Sequence, residues 1–265
     1  MSIRKYFTPA NYWNKLILYA VKPILYMGIP LTRTTQVGGV TLKFVASSFL
    51  EFFLRAREDF SRHPATVSWI CNTITKDDVV YDIGANVGGF SCFIGKKVSN
   101  GQGMVYAFEP AASNLFSLVR NIKLNGLSKK VIAYSIAFGD HSGVGSLHCS
   151  SIIPGTSIHS TETDISREFE QGVMILTCEE FVKSASVCFP NHIKIDVDGA
   201  EESIIQGMSN LLSDSRLKSV MVEVEGKEAI KRITLIFEQF GFKEELRDLK
   251  PREELCDILY VRTSH

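Results

Sequence analysis

The sequence has no surplus of either charge: 29 Lys and Arg stand against 29 Asp and Glu, for a formal net charge of zero. Such a chain lacks the basic field with which nucleic-acid-binding proteins collect phosphates. It also lacks an Asn-Pro-Pro-aromatic motif for a flipped base, so no nucleic-acid partner is expected. Cysteine motifs are missing as well. Cys71, Cys92, Cys149, Cys178, Cys188 and Cys256 include no C-x-x-C pair, and none stands at zinc-site spacing with a histidine. Free thiols in a reducing compartment fit that pattern, which points to the cytoplasm and to no metal centre. There is no uninterrupted apolar run long enough to span a bilayer. The nearest stretch, Leu16 to Leu31, is broken by Lys22, Pro23 and Pro30 and is preceded by Arg4, Lys5 and Lys15. It lacks the clean core and cleavage site of a signal peptide. It suits packing on its own domain, with a weak membrane-surface or subunit contact as the alternative. No internal repeat or low-complexity tract is present.

What is present is a globular composition, 45% hydrophobic and 22% charged, over a length suited to one large domain with an extension. The boundary is expected near residues 77 and 78. Before it, Val37–Val45 reads as two short strands around Gly38-Gly39, while Phe49–Arg57 and Ala65–Thr75 read as helices. After it, the rhythm becomes strand, helix, strand. The strands are VVYDIG (79–84), MVYAFE (104–109), VIAYSIAF (131–138), HIKIDV (192–197) and SVMVEV (219–224), with two more near 242–246 and 257–262. Helices are expected over 90–98, 113–124, 200–212 and 228–240. Asn125-Gly126 supplies the C-terminal stop of the second. A polar insertion at about 139–175, rich in Gly, Ser and Thr, predicts hairpins or a lid. Strict alternation with apolar strands means an α/β fold: a mostly parallel sheet of about seven strands with helices on both faces. Ligands of such sheets bind beyond the carboxyl ends of the strands.

The first strand is followed by Asp82-Ile-Gly-Ala-Asn-Val-Gly-Gly89. Its glycines allow a tight turn and close approach of a ligand to the backbone. The order is not G-x-G-x-x-G, because Asn86 stands where the second glycine would be, which counts against a nicotinamide-dependent oxidoreductase. The second strand ends in Glu109-Pro110, where an acid can accept hydrogen bonds from both ribose hydroxyls of an adenosine; the alternative is an acid at a helix N-terminus. At the third strand, Ala137 and Phe138 can line an adenine pocket and Asp140 can hold the amino group, unless Gly139-Asp140 is a simple turn. The fourth strand alternates Ile193, Ile195 and Val197 with Lys194, Asp196 and Asp198. A face carrying a lysine and two carboxylates is costly to bury unless paired, so it is expected to open into a cleft. Asp196 can meet an ammonium group, orient a hydroxyl or act as base, with Lys194 as electrostatic helper. Asp198 can instead cap the following helix, with Glu201 favouring its dipole. Glu223, at the fifth strand, can face the same cleft. Among the histidines, His141, His148 and His159 fall in the insertion over the expected site.

Residues 79–225 resemble the FkbM family of class I methyltransferases. The resemblance is carried by VVYDIGANVGGFS, VYAFEPAASN, the N-x-x-x-N pattern of Asn121 and Asn125, KIDVDGAEESIIQGM and VMVEVEG, in that order. It implies a Rossmann-like methyltransferase sheet with a small N-terminal helical and hairpin extension. It also implies S-adenosyl-L-methionine as methyl donor and O-methylation of a sugar or natural-product hydroxyl. By motif, Asp82, Gly84, Ala85, Asn86 and Gly88 would hold the methionine part and Glu109, with Pro110, the ribose. Asp196 would lie by the amino-acid end and the acceptor. Asp198 departs from the glutamate common in the family. A catalytically silent membrane-associated or oligomeric binding protein on the same fold is the remaining alternative.

Overall fold

The computed structural model describes residues 31–46, 58–149, 151, 153–155, 159–160, 169–184, 187–249 and 255–263. The stretch at 16–31 (apart from Leu31) and the helix expected over 49–57 lie outside the described residues. The strands are β1 (Leu31–Val37), β2 (Val40–Ala46), β3 (Val79–Ile83), β4 (Met104–Phe108), β5 (Val131–Tyr134), β6 (Ala137–Phe138), β7 (Gly143–Cys149), β8 (His159–Ser160), β9 (Phe169–Leu176), β10 (His192–Ile195), β11 (Ser219–Glu225), β12 (Phe242–Leu249) and β13 (Leu255–Arg262). The helices are α1 (Glu58–Arg62), α2 (Pro64–Asn72), α3 (Gly89–Val98), α4 (Ala112–Leu124), α5 (Cys178–Ser184), α6 (Glu201–Gln206), α7 (Ser209–Ser213) and α8 (Lys227–Gln239).

Seven strands form one sheet in the order β12-β13-β11-β10-β3-β4-β5. β3, β4, β5, β10 and β11 run parallel, and β13 runs antiparallel to both of its neighbours. The period of two divides the side chains between two cores. Tyr81, Ile83, Ile193, Ile195, Val220 and Val222 pack with Phe181, Leu211, Ile233 and Phe237 from the helices on one face. Val80, Val105, Ala107 and Met221 pack on the other face with Trp69, Phe93, Ile94, Leu118 and Ile122. Full burial of each such side chain favours folding by roughly 1.5–3 kcal/mol, which is why both faces are covered. Lys194 falls on the second face, between Ile193 and Ile195 of the first.

The N-terminal hairpin shares that second core through Leu42 and Phe44. Asn121 Oδ1 accepts from Val45 N at 2.8 Å, and Asn125 Oδ1 accepts from Lys43 N at 2.9 Å. Asn125 Nδ2 donates to Lys43 O at 2.7 Å, and Asn121 Nδ2 donates to Val87 O at 2.8 Å. Residues four apart on a helix rise about 6 Å. Backbone groups two apart on a strand repeat at about 6.8 Å. The N-x-x-x-N spacing therefore lets a helix bind a strand edge that would otherwise present unpaired amides.

Two expected elements are broken. The strand expected over 131–138 divides at 135–136: β5 stays in the large sheet, while β6 joins β9 in a four-stranded sheet of order β6-β9-β7-β8. This second sheet is built largely by the insertion. The helix expected over 200–212 divides at Gly207-Met208, where Gly207 presses on the carbonyl of Gly139 with no room for a Cβ. Helix α5 lies outside the helices expected from periodicity. Among the described residues no helix is long and apolar enough to cross a membrane.

Candidate active site

The turn after β3 is strapped to the end of β4. Gly84 N and Ala85 N both donate to Phe108 O at 3.0 Å. Gly84 has φ +77°, and a Cβ there would overlap the carbonyl oxygen of Asp196. The seam between β3 and β10 by itself requires glycine there. Asn86 holds a left-handed φ of 50°, a region that asparagine tolerates better than most side chains. Its amide donates to Glu109 Oε2 at 2.8 Å, and its own Oδ1 accepts from Val87 N at 2.9 Å.

Glu109 is buried at the end of β4, and Oε1 accepts from Ala111 N at 2.9 Å. Burial pushes its carboxyl up to about 7, against the lowering influence of the Ala111 and Asn86 amides. The second sheet closes over this end. Gln171 of β9 donates from Nε2 to Pro110 O at 2.7 Å and accepts from Ala112 N at 2.9 Å. Gly155 N donates to Asn114 Oδ1 at 2.9 Å.

Across β3, Lys194 is only 2% exposed. Its Nζ donates to Asp196 Oδ2 at 2.8 Å, lies 3.6 Å from Asp82 Oδ1 and sits 5.1 Å from the centre of the Phe90 ring. Burial alone would lower the lysine pKa; Asp196 and Asp82 outweigh it and hold the ammonium above its usual value. The expectation that this face must be paired or open is met by pairing below, at Asp82, and by the cleft above, at Asp196. Asp198 is exposed. Helix α6 begins one residue later than expected, with no side-chain cap at Ala200, and Glu201 reaches back to Gly199 N at 3.2 Å. Burial, with Asp196 and Asp198 nearby, pushes the Glu201 carboxyl up to about 7.

One cleft is lined by Gly84, Ala85, Asn86, Glu109, Pro110, Ala137, Lys194 and Asp196. Three of the anticipated residues lie elsewhere. Asp82 is fully buried beneath the floor, bonded to Ser91 Oγ and close to Lys194. Gly88 has φ +87° and is pressed against Leu118 of α4, so it packs the turn on the helix. Asp140 is on the surface beside His141, and its amide donates to Ser203 Oγ at 3.1 Å. Its carboxylate faces solvent.

The cleft also contains a residue that the motifs did not indicate. His63, between α1 and α2, lines it. Its Nδ1 is 3.0 Å from Asp257 Oδ2 and 3.8 Å from Glu223 Oε1. These three residues are the group among those described whose ligand atoms converge within 4.8 Å, so they could hold a metal ion. His63-Pro64 stands in no periodic pattern, and only the partner it meets 194 residues later distinguishes it from any other histidine. Of the insertion histidines, His141 is exposed and His148 is buried near Glu170.

The order of the sheet, the reversed β13 and the cleft at the strand ends define a Rossmann-like class I methyltransferase fold. Residues 82–244 match the methyltransferase FkbM domain, and the chain belongs to that family. The hexuronic acid methyltransferase AglP of Haloferax volcanii is 27% identical over 83% of this chain and 85% of its own. The crystal structure of methyltransferase FkbM from Methylobacillus flagellatus superposes with a TM-score of 0.51 at 16% identity, covering 71% of this chain but 44% of that one. Aeropyrum pernix fibrillarin, solved with natively bound S-adenosyl-L-methionine, gives a TM-score of 0.52 at 10% identity over 86% of this chain and 82% of its own.

Proposed function

We propose that this methyltransferase uses S-adenosylmethionine and transfers the methyl group to a hydroxyl of a sugar-type small molecule, with hexuronic acids as the first acceptors to try. The observation that carries the cofactor is Glu109: a buried acid at the end of β4, fixed by the amides of Asn86 and Ala111, beside the glycine turn. Its carboxylate, to which Asn114 also bonds, suits the ribose hydroxyls. Ile136, Ala137, Phe138 and Leu147 offer an apolar slot for adenine, and Asp196 and Asp198 offer negative charge for the ammonium group. The acceptor class is supported by the activity named for AglP.

When bound, S-adenosylmethionine supplies a methyl group already activated on a sulfonium centre. The protein's work is then to align the acceptor and manage its proton. Lys194 fixes the carboxylate of Asp196 at the cleft floor, which suits Asp196 to orienting the ammonium group and the acceptor hydroxyl. Calorimetry of S-adenosylmethionine and S-adenosylhomocysteine, with NAD as control, tests the cofactor. Radiolabelled methyl transfer to p-nitrophenyl glucuronide and free hexuronic acids tests the acceptor. Adenosyl binding and labelled uronide are expected. Preference for NAD would overturn the cofactor; binding without labelling would overturn the acceptor class.

A further inference from the structure

We infer that His63 takes the proton from the acceptor hydroxyl and that Asp257 holds it in the form able to do so. The inference rests on the methyl-transfer reading above. The order of the sheet supplies the first argument. β4, which Glu109 follows, lies on one side of β3; β10, β11 and β13 lie on the other. Glu223 and Asp257 are register partners on β11 and β13, so His63 enters the cleft on the side away from the ribose acid. This is the side left to an acceptor when the adenosyl group lies toward β4 and β5.

The way the ring is held points the same way. Asp257 is 1% exposed, and its Oδ2 lies 3.0 Å from His63 Nδ1 and 3.4 Å from Thr66 Oγ1. A carboxylate that only accepts hydrogen bonds places the proton on Nδ1, which makes Nε2 the basic nitrogen. Phe90 packs on the ring edge to face, with centres 5.6 Å apart. Asp257 from β13 and Glu223 from β11 are charged groups that face the ring among the described residues; Lys194, on β10, lies within the field of Asp257. Asp196 is the less apt base, because Lys194 already donates to it at 2.8 Å. The same lysine near Asp257 opposes a divalent cation among His63, Glu223 and Asp257.

The step balances. The acceptor oxygen forms its bond to the methyl carbon and gives its proton to His63 Nε2. The electron pair of the broken carbon–sulfur bond stays on sulfur and cancels the sulfonium charge. The imidazolium keeps that charge beside Asp257 until the proton passes to solvent.

The test uses the full chain, His63→Gln and Asp257→Asn, with p-nitrophenyl glucuronide as acceptor. His63→Gln should lower kcat by about 100-fold or more, in the range of general-base removal, while S-adenosylhomocysteine affinity stays within about twofold as the check on folding. Asp257→Asn should lower kcat and distort the pH profile, because an amide donating to Nδ1 forces the proton onto Nε2. Nitrogen-15 NMR of the His63 ring needs no turnover: the wild type should show the proton on Nδ1, and Asp257→Asn should show it on Nε2. Three results would each overturn the inference: unchanged kcat in His63→Gln, a wild-type ring protonated on Nε2, or a stoichiometric divalent ion whose removal abolishes activity. If no uronide is methylated by the wild type, the acceptor class fails, and the ring tautomer still decides the role of Asp257.

Discussion

The two sides of the cleft are built by different means. Over β3 and β4, the structure is local and made largely of backbone. Residues 84–86 and 108–111 fold against one another through amide hydrogen bonds, and Glu109 is the one charge among them. Over β10, β11 and β13, it is made of charged side chains drawn from distant parts of the chain. Lys194 is held between Asp82 and Asp196, and His63 lies between Asp257 and Glu223. The first side resists change through geometry. The second resists it through charge compensation, which fails abruptly when one partner is removed.

The largest effect should come from breaking that compensation. Lys194→Met keeps the length of the stem but leaves Asp82 buried without its cation, and should cost about 3–5 kcal/mol of stability in chemical denaturation. A loss under about 1 kcal/mol would mean that Ser91 alone satisfies Asp82, and the contrast between the sides would weaken.

On the other side, Glu109→Ala should leave the fold nearly intact while reducing S-adenosylhomocysteine affinity about 100-fold, near 2.7 kcal/mol, as expected for two charge-assisted hydrogen bonds. Its pH dependence sharpens the comparison. The Glu109 carboxyl is raised to about 7, so the empty fold favours its neutral form. Its contribution to stability is fully present below the ordinary carboxyl range and is lost as pH rises through about 7. A ligand whose hydroxyls donate to the ionised acid has the opposite preference. Affinity should therefore fall as pH drops below about 7 in the wild type, and calorimetry of Glu109→Ala should lose that component. The smallest effect is expected at Asp140. Asp140→Ala should leave affinity within about twofold, as for a solvent-facing side chain; a tenfold loss would show that the loop after β6 reaches the ligand.

The local side was legible in the residues. Gly84, Ala85, Asn86, Glu109 and Pro110 follow strands whose ends can be read from apolar runs, and they do meet in one cleft. Gly88 and Asp82 belong to the same motif, but one serves the packing of α4 and the other the floor beneath Lys194. A motif names residues together without saying which of them face the ligand. The split of 131–138 between two sheets was hidden because every residue in it suits a strand, and β9 captured its end. The break at Gly207 was hidden because it depends on the carbonyl of Gly139.

By itself, the order of residues determined the α/β class, the strand and helix succession, the glycine turn and the acid placed after the second strand of the sheet, because hydrophobic periodicity and turn chemistry act over a few neighbours. Tertiary structure alone decided that Lys194 could be buried and that Asp140 would face solvent. It also brought His63 to Asp257. Charge compensation depends on which side chains come within a few ångströms of one another, and that is fixed only when the sheet has assembled.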